Sequence, residues 1–301
     1  MLRVTNSSLI ALRDRIRRIE QPARHGGLTF GVAALDRALP GGGLALGAVH
    51  EILGTGGDEE DGAAAAGFAA GILARLSAGP NPPPLAGEGI AVPCSPLPRK
   101  RGRVRVGAES GAAQRSVLWC LRRPDLYGPG LLAHGLDPAR LVLVRASRDD
   151  AILWAVEEGL RAGPASGLAA VVGEIGHLPM VAGRRLQLAA ERSGITALIL
   201  RRWRSADEAA TERDQPSAAL TRWRVAALPS TDIADEPGIG RPRWRVALLR
   251  VRGGEPGSWD VEVADATGHV SLSAELADRP VAPAWLGAEP PNTSEKWRRA
   301  G

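Results

Sequence analysis

The chain has 301 residues, of which 44% are apolar and 24% charged, with a formal net charge of +5. That length and apolar fraction supply a core and exclude a purely disordered polymer, while no apolar run approaches the roughly 20 residues a bilayer-spanning helix needs. Arg13, Arg15, Arg17 and Arg18 interrupt any signal-peptide core near the start, so the expected location is the cytoplasm, and Cys94 and Cys120, 26 positions apart, make neither a disulfide framework nor a zinc cluster.

In chain order, Leu9, Leu12, Ile16 and Ile19 recur at helical spacing behind Thr5, Asn6 and Ser7, which predicts an amphipathic helix over 8–20 with a basic polar face. Such a helix is expected to pack on its own domain or on a neighbouring subunit. Residues 1–27 are read as this helix and a linker. The run LALGAVHEIL, 44–53, predicts a buried strand, followed by a Gly-rich loop and an Ala-rich helix over 62–76.

Residues 77–116 hold seven Pro, six Gly, and six Lys or Arg against two Glu, without helical or alternating periodicity. They predict a disordered insertion. This insertion carries +4 of the net charge and leaves the rest of the chain near neutral, so a pI near 10 does not by itself argue for nucleic acid.

Strand candidates then recur at 117–121, 141–144, 168–172 and 195–200, separated by helical stretches at 130–134, 149–161 and 181–192. Strands buried on both faces and spaced by helices predict an α/β fold with a mainly parallel central sheet. Segments 221–230, 243–252 and 258–266 lie close together and predict antiparallel hairpins at the end of that sheet. Trp223 with Val225, and Trp244 with Val246 and Leu248, alternate onto one face, as a core requires. The domain is read as 28–278 and the remainder, 279–301, as a flexible tail that Trp285 could anchor.

The segment Gly54, Thr55, Gly56, Gly57, Asp58, Glu59, Glu60, Asp61, Gly62 occupies the place of a phosphate-binding loop between a strand and a helix. Such a loop needs G-x-x-x-x-G-K-[ST], in which backbone amides cradle the phosphates, Lys neutralises them and the hydroxyl holds magnesium. Counted from Gly54, the second Gly is Glu59, the Lys is Glu60 and the Ser/Thr is Asp61. A carboxylate about 4 Å from a phosphate oxygen repels it by roughly 1 kcal/mol in water and about 4 kcal/mol at an effective dielectric near 20. The plainer reading is a solvated acidic turn that caps the next helix, worth about 0.3–1 kcal/mol per carboxylate.

FGVAALDRALPGGGLALGAVHEILG, 30–54, resembles the opening of the RecA-like ATPase core. Together with the degenerate loop and RWRVALLRVRGGEPGSWDVEV, 243–263, the chain resembles the ImuA family over 28–76 and 117–266. The resemblance implies a RecA-like, damage-inducible accessory protein that works with an ImuB-type Y-family polymerase homologue, and with RecA and a DnaE-type error-prone polymerase, in translesion synthesis. It also implies positions to check. The water-orienting Glu after the second core strand is replaced by Arg122 and Arg123, and the Walker B strand end offers Gly173 and then Glu174. The loop at 177–180 is short for a DNA contact, and residues 201–221 balance Arg201, Arg202, Arg204 and Arg213 against Asp207, Glu208, Glu212 and Asp214.

No His pair among His25, His50, His134, His177 and His269 has metal-ligand spacing, and His50 reads as a satisfied core histidine. The expectation is a non-catalytic scaffold without cofactor, metal or membrane contact, touching DNA weakly or through others. Its partner-binding candidates are Leu12, Ile16, Ile19 and Trp285. Two alternatives stay open: a RecA-like ATPase with a substituted nucleotide loop, and a SulA-like inhibitor of cell division.

Overall fold

The computed structural model describes residues 25–78, 115–233, 236–263 and 267–272. The predicted helix with Leu12, Ile16 and Ile19, nearly all of the 77–116 insertion, and the tail with Trp285 and Trp297 lie outside the described residues.

Among the described residues, a nine-stranded mixed sheet forms the centre of an α/β fold. Its strands are β3 (Val49–Leu53), β4 (Ser116–Leu121), β5 (Leu141–Arg145), β6 (Leu168–Ile175), β7 (Thr196–Arg201), β8 (Thr221–Ile233), β9 (Glu236–Val251), β10 (Gly257–Glu262) and β11 (Ser271–Leu272). They lie in the order β5-β4-β6-β7-β3-β8-β9-β10-β11. Every pairing from β5 to β8 is parallel, and those from β8 onward are antiparallel, as the change of sequence pattern near residue 221 predicts.

The predicted strand over 44–53 is two strands. Leu44–Ala45 (β2) pairs antiparallel with Gly27–Leu28 (β1), and β3 begins only at Val49. Gly47 makes the break: it adopts φ +64°, and a Cβ there would stand 2.5 Å from the His25 ring and 3.1 Å from Gly194 Cα.

The helices are α1 (Ala33–Ala38), α2 (Asp58–Ser77), α3 (Gly128–Ala133), α4 (Asp149–Arg161), α5 (Met180–Ser193) and α6 (Ala206–Glu212). The span of α4 is the predicted one, and its first turn carries Asp149 and Asp150 where the helix dipole favours them. By contrast α2 starts four residues before the predicted Gly62, so Asp58 to Asp61 form its first turn and are not part of a loop. Among the described residues, no helix is long and apolar enough to cross a membrane.

Helix α2 covers one face of the sheet and buries Phe68 against Phe30, Trp223 and Trp244, with ring centroids 5.8–6.4 Å apart. The alternation read in the sequence holds, since Trp223, Val225, Trp244, Val246 and Leu248 all belong to this core. Each buried aromatic removes about 150–250 Å² from water, of order 4–6 kcal/mol at about 25 cal/mol per Å². The rings fit because α2 is built of small residues at the contact. A Cβ on Gly67 would lie 2.9 Å from the Trp244 ring and 2.7 Å from His134 Nε2. On the other face α4 and α5 bury Ile152, Val156, Leu160 and Leu186 against Cys120, Val171 and Ile199. Burial pushes the Cys120 thiol up to about 12.

His50, wholly buried on β3, is the satisfied core histidine its strand position predicts. Its Nε2 lies 2.8 Å from the Ala45 carbonyl, which can only accept, so Nε2 donates and Nδ1 accepts from Thr221 Oγ1 at 2.7 Å. Trp223 Nε1 donates in turn to that hydroxyl at 2.7 Å. Burial pulls the His50 pKa down to about 4, with the Ala45 hydrogen bond opposing.

Candidate functional site

The turn 54–57 leaves the carboxyl end of β3, an interior parallel strand, and leads into the amino end of α2. In open α/β sheets this is where ligands bind, because loop amides and the positive end of the helix dipole converge there. Here the protein's own carboxylates occupy it. Asp61 accepts hydrogen bonds from Thr55 Oγ1, from the Thr55 amide at 3.3 Å, and from the Ala227 amide on β8 at 2.8 Å. One buried carboxylate thereby holds the turn, the helix and the neighbouring strand together.

Asp58 is equally enclosed, its side chain 6% exposed. Arg202, just beyond β7, donates from Nε to both Asp58 oxygens at 2.9 and 2.8 Å, and Arg123 Nη1 adds a contact at 3.1 Å. The Asp58 amide donates to the Trp203 carbonyl at 2.8 Å. The acidic run is therefore not a solvated turn. Glu59 is exposed, but Asp61 is buried and hydrogen-bonded, and the enclosed Asp58 side chain is ion-paired. An incoming anion would meet Asp58 already ion-paired to Arg202 and Arg123, and Asp61 already holding the Thr55 and Ala227 amides, and it would have to displace both from their partners.

Arg202 is the hub of the site. Besides Asp58 it donates to Asp125 at 3.0 and 2.7 Å and, through Nη1, to Glu174 Oε2 at 2.8 Å. Although burial disfavours its charge, the hydrogen bonds to Asp58 and Asp125 and the attraction of Glu174 raise its pKa above the ordinary arginine value. Asp125 shifts below the usual carboxylate range: its desolvation is outweighed by the hydrogen bond and charge of Arg202.

Glu174 lies inside β6 because that strand runs on to Ile175. It is 1% exposed, and its second oxygen accepts from Trp119 Nε1 on β4 at 2.8 Å. Burial raises its pKa, opposed by Arg202 and the indole N–H. Arg122 pairs with Asp149 at 3.0 Å, and the same aspartate accepts from the Gly176 and His177 amides at 3.0 Å each. The site thus brings together Gly54 to Gly62, Glu174 and both arginines after β4. The partner-binding candidates Leu12, Ile16, Ile19 and Trp285 lie outside the described residues. Among the described residues, no group of three or more His, Cys, Asp or Glu is placed to hold a metal ion.

No protein-family model matches the chain. It is 37% identical over 266 residues to Protein ImuA of Caulobacter vibrioides strain NA1000, an alignment covering 86% of this chain and 94% of that protein. Protein ImuA of strain CB 15 matches to the same extent. The chain belongs to the ImuA family.

In this ImuA-family chain, local sequence reading finds the turn and Glu174 but misses their partners. Asp125 and Arg202 sit 67 and 144 positions from Asp58, and only the parallel sheet order brings them together. A second buried network is missed for the same reason. Glu51, fully buried on β3, accepts from Ser217 Oγ and from Arg222 Nε at 2.8 Å, with Arg201 Nη1 3.8 Å away. Arg201 also donates to the Gly176 carbonyl at 2.8 Å and to Glu212 at 3.1 Å. A usable signal was present in Arg201, Arg202 and Arg222: arginines at the ends of apolar strands need buried acidic partners. Trp203 and Trp223 are buried, with indole N–H groups donating to Gly176 O at 2.9 Å and Thr221 Oγ1 at 2.7 Å, so they belong to the core.

Proposed function

We propose that this chain is a non-catalytic, RecA-like accessory protein of damage-induced translesion DNA synthesis. In this reading it works in the cytoplasm as a scaffold for an ImuB-type Y-family polymerase homologue, with RecA and a DnaE-type polymerase as further contacts and DNA engaged weakly or through those partners. Membership of the ImuA family supports the setting. The observation that carries the non-catalytic part is the internal occupation of the nucleotide position. The Thr55 and Ala227 amides are bonded to Asp61, and the cations Arg123 and Arg202 are bonded to Asp58. A triphosphate needs free amides and an unpaired cation at that place.

The test is an equilibrium titration of the purified full chain with a fluorescent ATP analogue and magnesium, beside co-purification with an ImuB-type partner. The expected result is no saturation up to about 1 mM nucleotide, a free energy weaker than about −4 kcal/mol, together with a stable complex with the partner. Micromolar nucleotide binding with turnover that Glu174→Gln abolishes would make the chain an ATPase. Filamentous growth on overproduction, with damage-induced mutation frequency unchanged, would make it an inhibitor of cell division.

A further inference from the structure

The outer seam between α4 and α5 combines apolar exposure with unbalanced positive charge. Trp154 on α4 is 64% exposed, and Val181 and Leu188 on α5 are 71% and 52% exposed. Helical spacing puts these residues on one stripe of each helix. Val181, Arg185, Leu188 and Arg192 follow one another at intervals of four, three and four, and Trp154 stands three before Glu157 and seven before Arg161. The two stripes meet, because Arg185 is ion-paired to Glu157 across the helices. Between the lower halves of the helices lies an open groove of about 410 Å³, floored by the buried Leu160 and by Ala189 and walled by Leu188, Arg161, Arg185 and Arg192.

The charge around the groove is only partly neutralised from within, three arginines lining it against one glutamate. Glu157 takes both Arg161, at 2.6 Å, and Arg185, while Glu158 takes only Arg161, at 2.9 Å. Arg192 has no ion pair among the described residues. An exposed tryptophan on the stripe beside the groove and arginines lining it are the residue types enriched at protein interfaces, and Leu188 and the groove floor add apolar surface to bury. A nucleic-acid backbone would use the arginines but gain nothing from Val181, Leu188 and an apolar floor.

From this we infer that the α4–α5 seam docks an acidic, leucine-rich amphipathic segment of a partner protein. The segment's apolar residues pack on Trp154 and Leu188, and its carboxylates face Arg192. The surface stands independently of the scaffold reading above, which bears only on which protein supplies the segment.

The test is site-specific photo-crosslinking of the full chain in damaged cells, with benzoylphenylalanine at Leu188 and, as a control, at Leu132, which is 56% exposed on α3. The adduct is sequenced as a peptide. The expected result is an adduct at Leu188 only, to a segment in which apolar residues alternate with Asp or Glu, and at least a tenfold drop in yield when Arg192→Glu or Trp154→Ala is added. Arg192 and Trp154 are both exposed, so these variants keep the fold. Equal adducts at the two positions, an adduct to nucleic acid or to a second copy of this chain, no adduct, or a yield indifferent to Arg192→Glu would each overturn the inference. An acidic apolar segment from a protein unrelated to polymerases keeps the docking surface and removes the polymerase scaffold, so the two readings fail separately.

Discussion

In the parallel half of the sheet, from β5 to β3, helices pack on both faces and the charged residues find their partners inside: Glu174 with Arg202 and Trp119, and Glu51 with Arg222 and Ser217. In the antiparallel half, β8 to β11, one face is packed under α2, and the other presents Arg245 to solvent with Asp260 opposite it on β10. The same residue types therefore carry different energies in the two halves. A buried ion pair that loses one member leaves an uncompensated charge away from water, whereas an exposed pair is screened and contributes little.

Arg202→Ala tests the first half most severely. It strands Asp58 and Glu174, with side chains 6% and 2% exposed, and is expected to cost about 3–5 kcal/mol in urea unfolding. Arg202→Lys is expected to recover only part, because an ammonium cannot serve Asp58, Asp125 and Glu174 with a planar fork. A loss below about 1 kcal/mol would show that this hub contributes no more than a surface pair.

His50 sharpens the comparison through pH. Its folded pKa of about 4 lies below the unfolded 6.5, so the unfolded chain binds the extra proton. The stability due to neutral His50 is complete above pH 6.5 and is lost as pH falls towards 4, by about 3 kcal/mol. Unfolding free energies measured across that range should fall more steeply in the parent than in His50→Gln. Identical slopes would contradict the hydrogen-bonded neutral ring. The smallest effect belongs to the antiparallel half. Arg245→Ala breaks contacts of 2.7 and 2.8 Å to Asp260, yet with Arg245 48% exposed it should change stability by less than about 1 kcal/mol and less still at high salt.

Much of this fold is legible from periodicity. The α4 span, the alternating strands β8 and β9 and the core faces of Trp223 and Trp244 follow from spacing alone, because each depends on neighbours within a few positions. What escapes is set by distant partners or by backbone conformation. The break at Gly47 depends on a left-handed φ and on the closeness of Gly194, and the early start of α2 depends on Asp58 finding Arg202 and Asp61 finding Ala227. The acidic run is visible in the sequence between a predicted strand and a predicted helix. Its pairing is visible only once strand order is known.

Gly67 ties the two regions mechanically. Because α2 rests on Trp244 with no space for a methyl group, a larger side chain at that point would lift the helix as a rigid rod. Its amino-terminal end, nine residues away, would then carry Asp58 and Asp61 off their arginine and amide partners. A change confined to the aromatic interior would thereby reach the turn between β3 and α2 without altering a single charged residue.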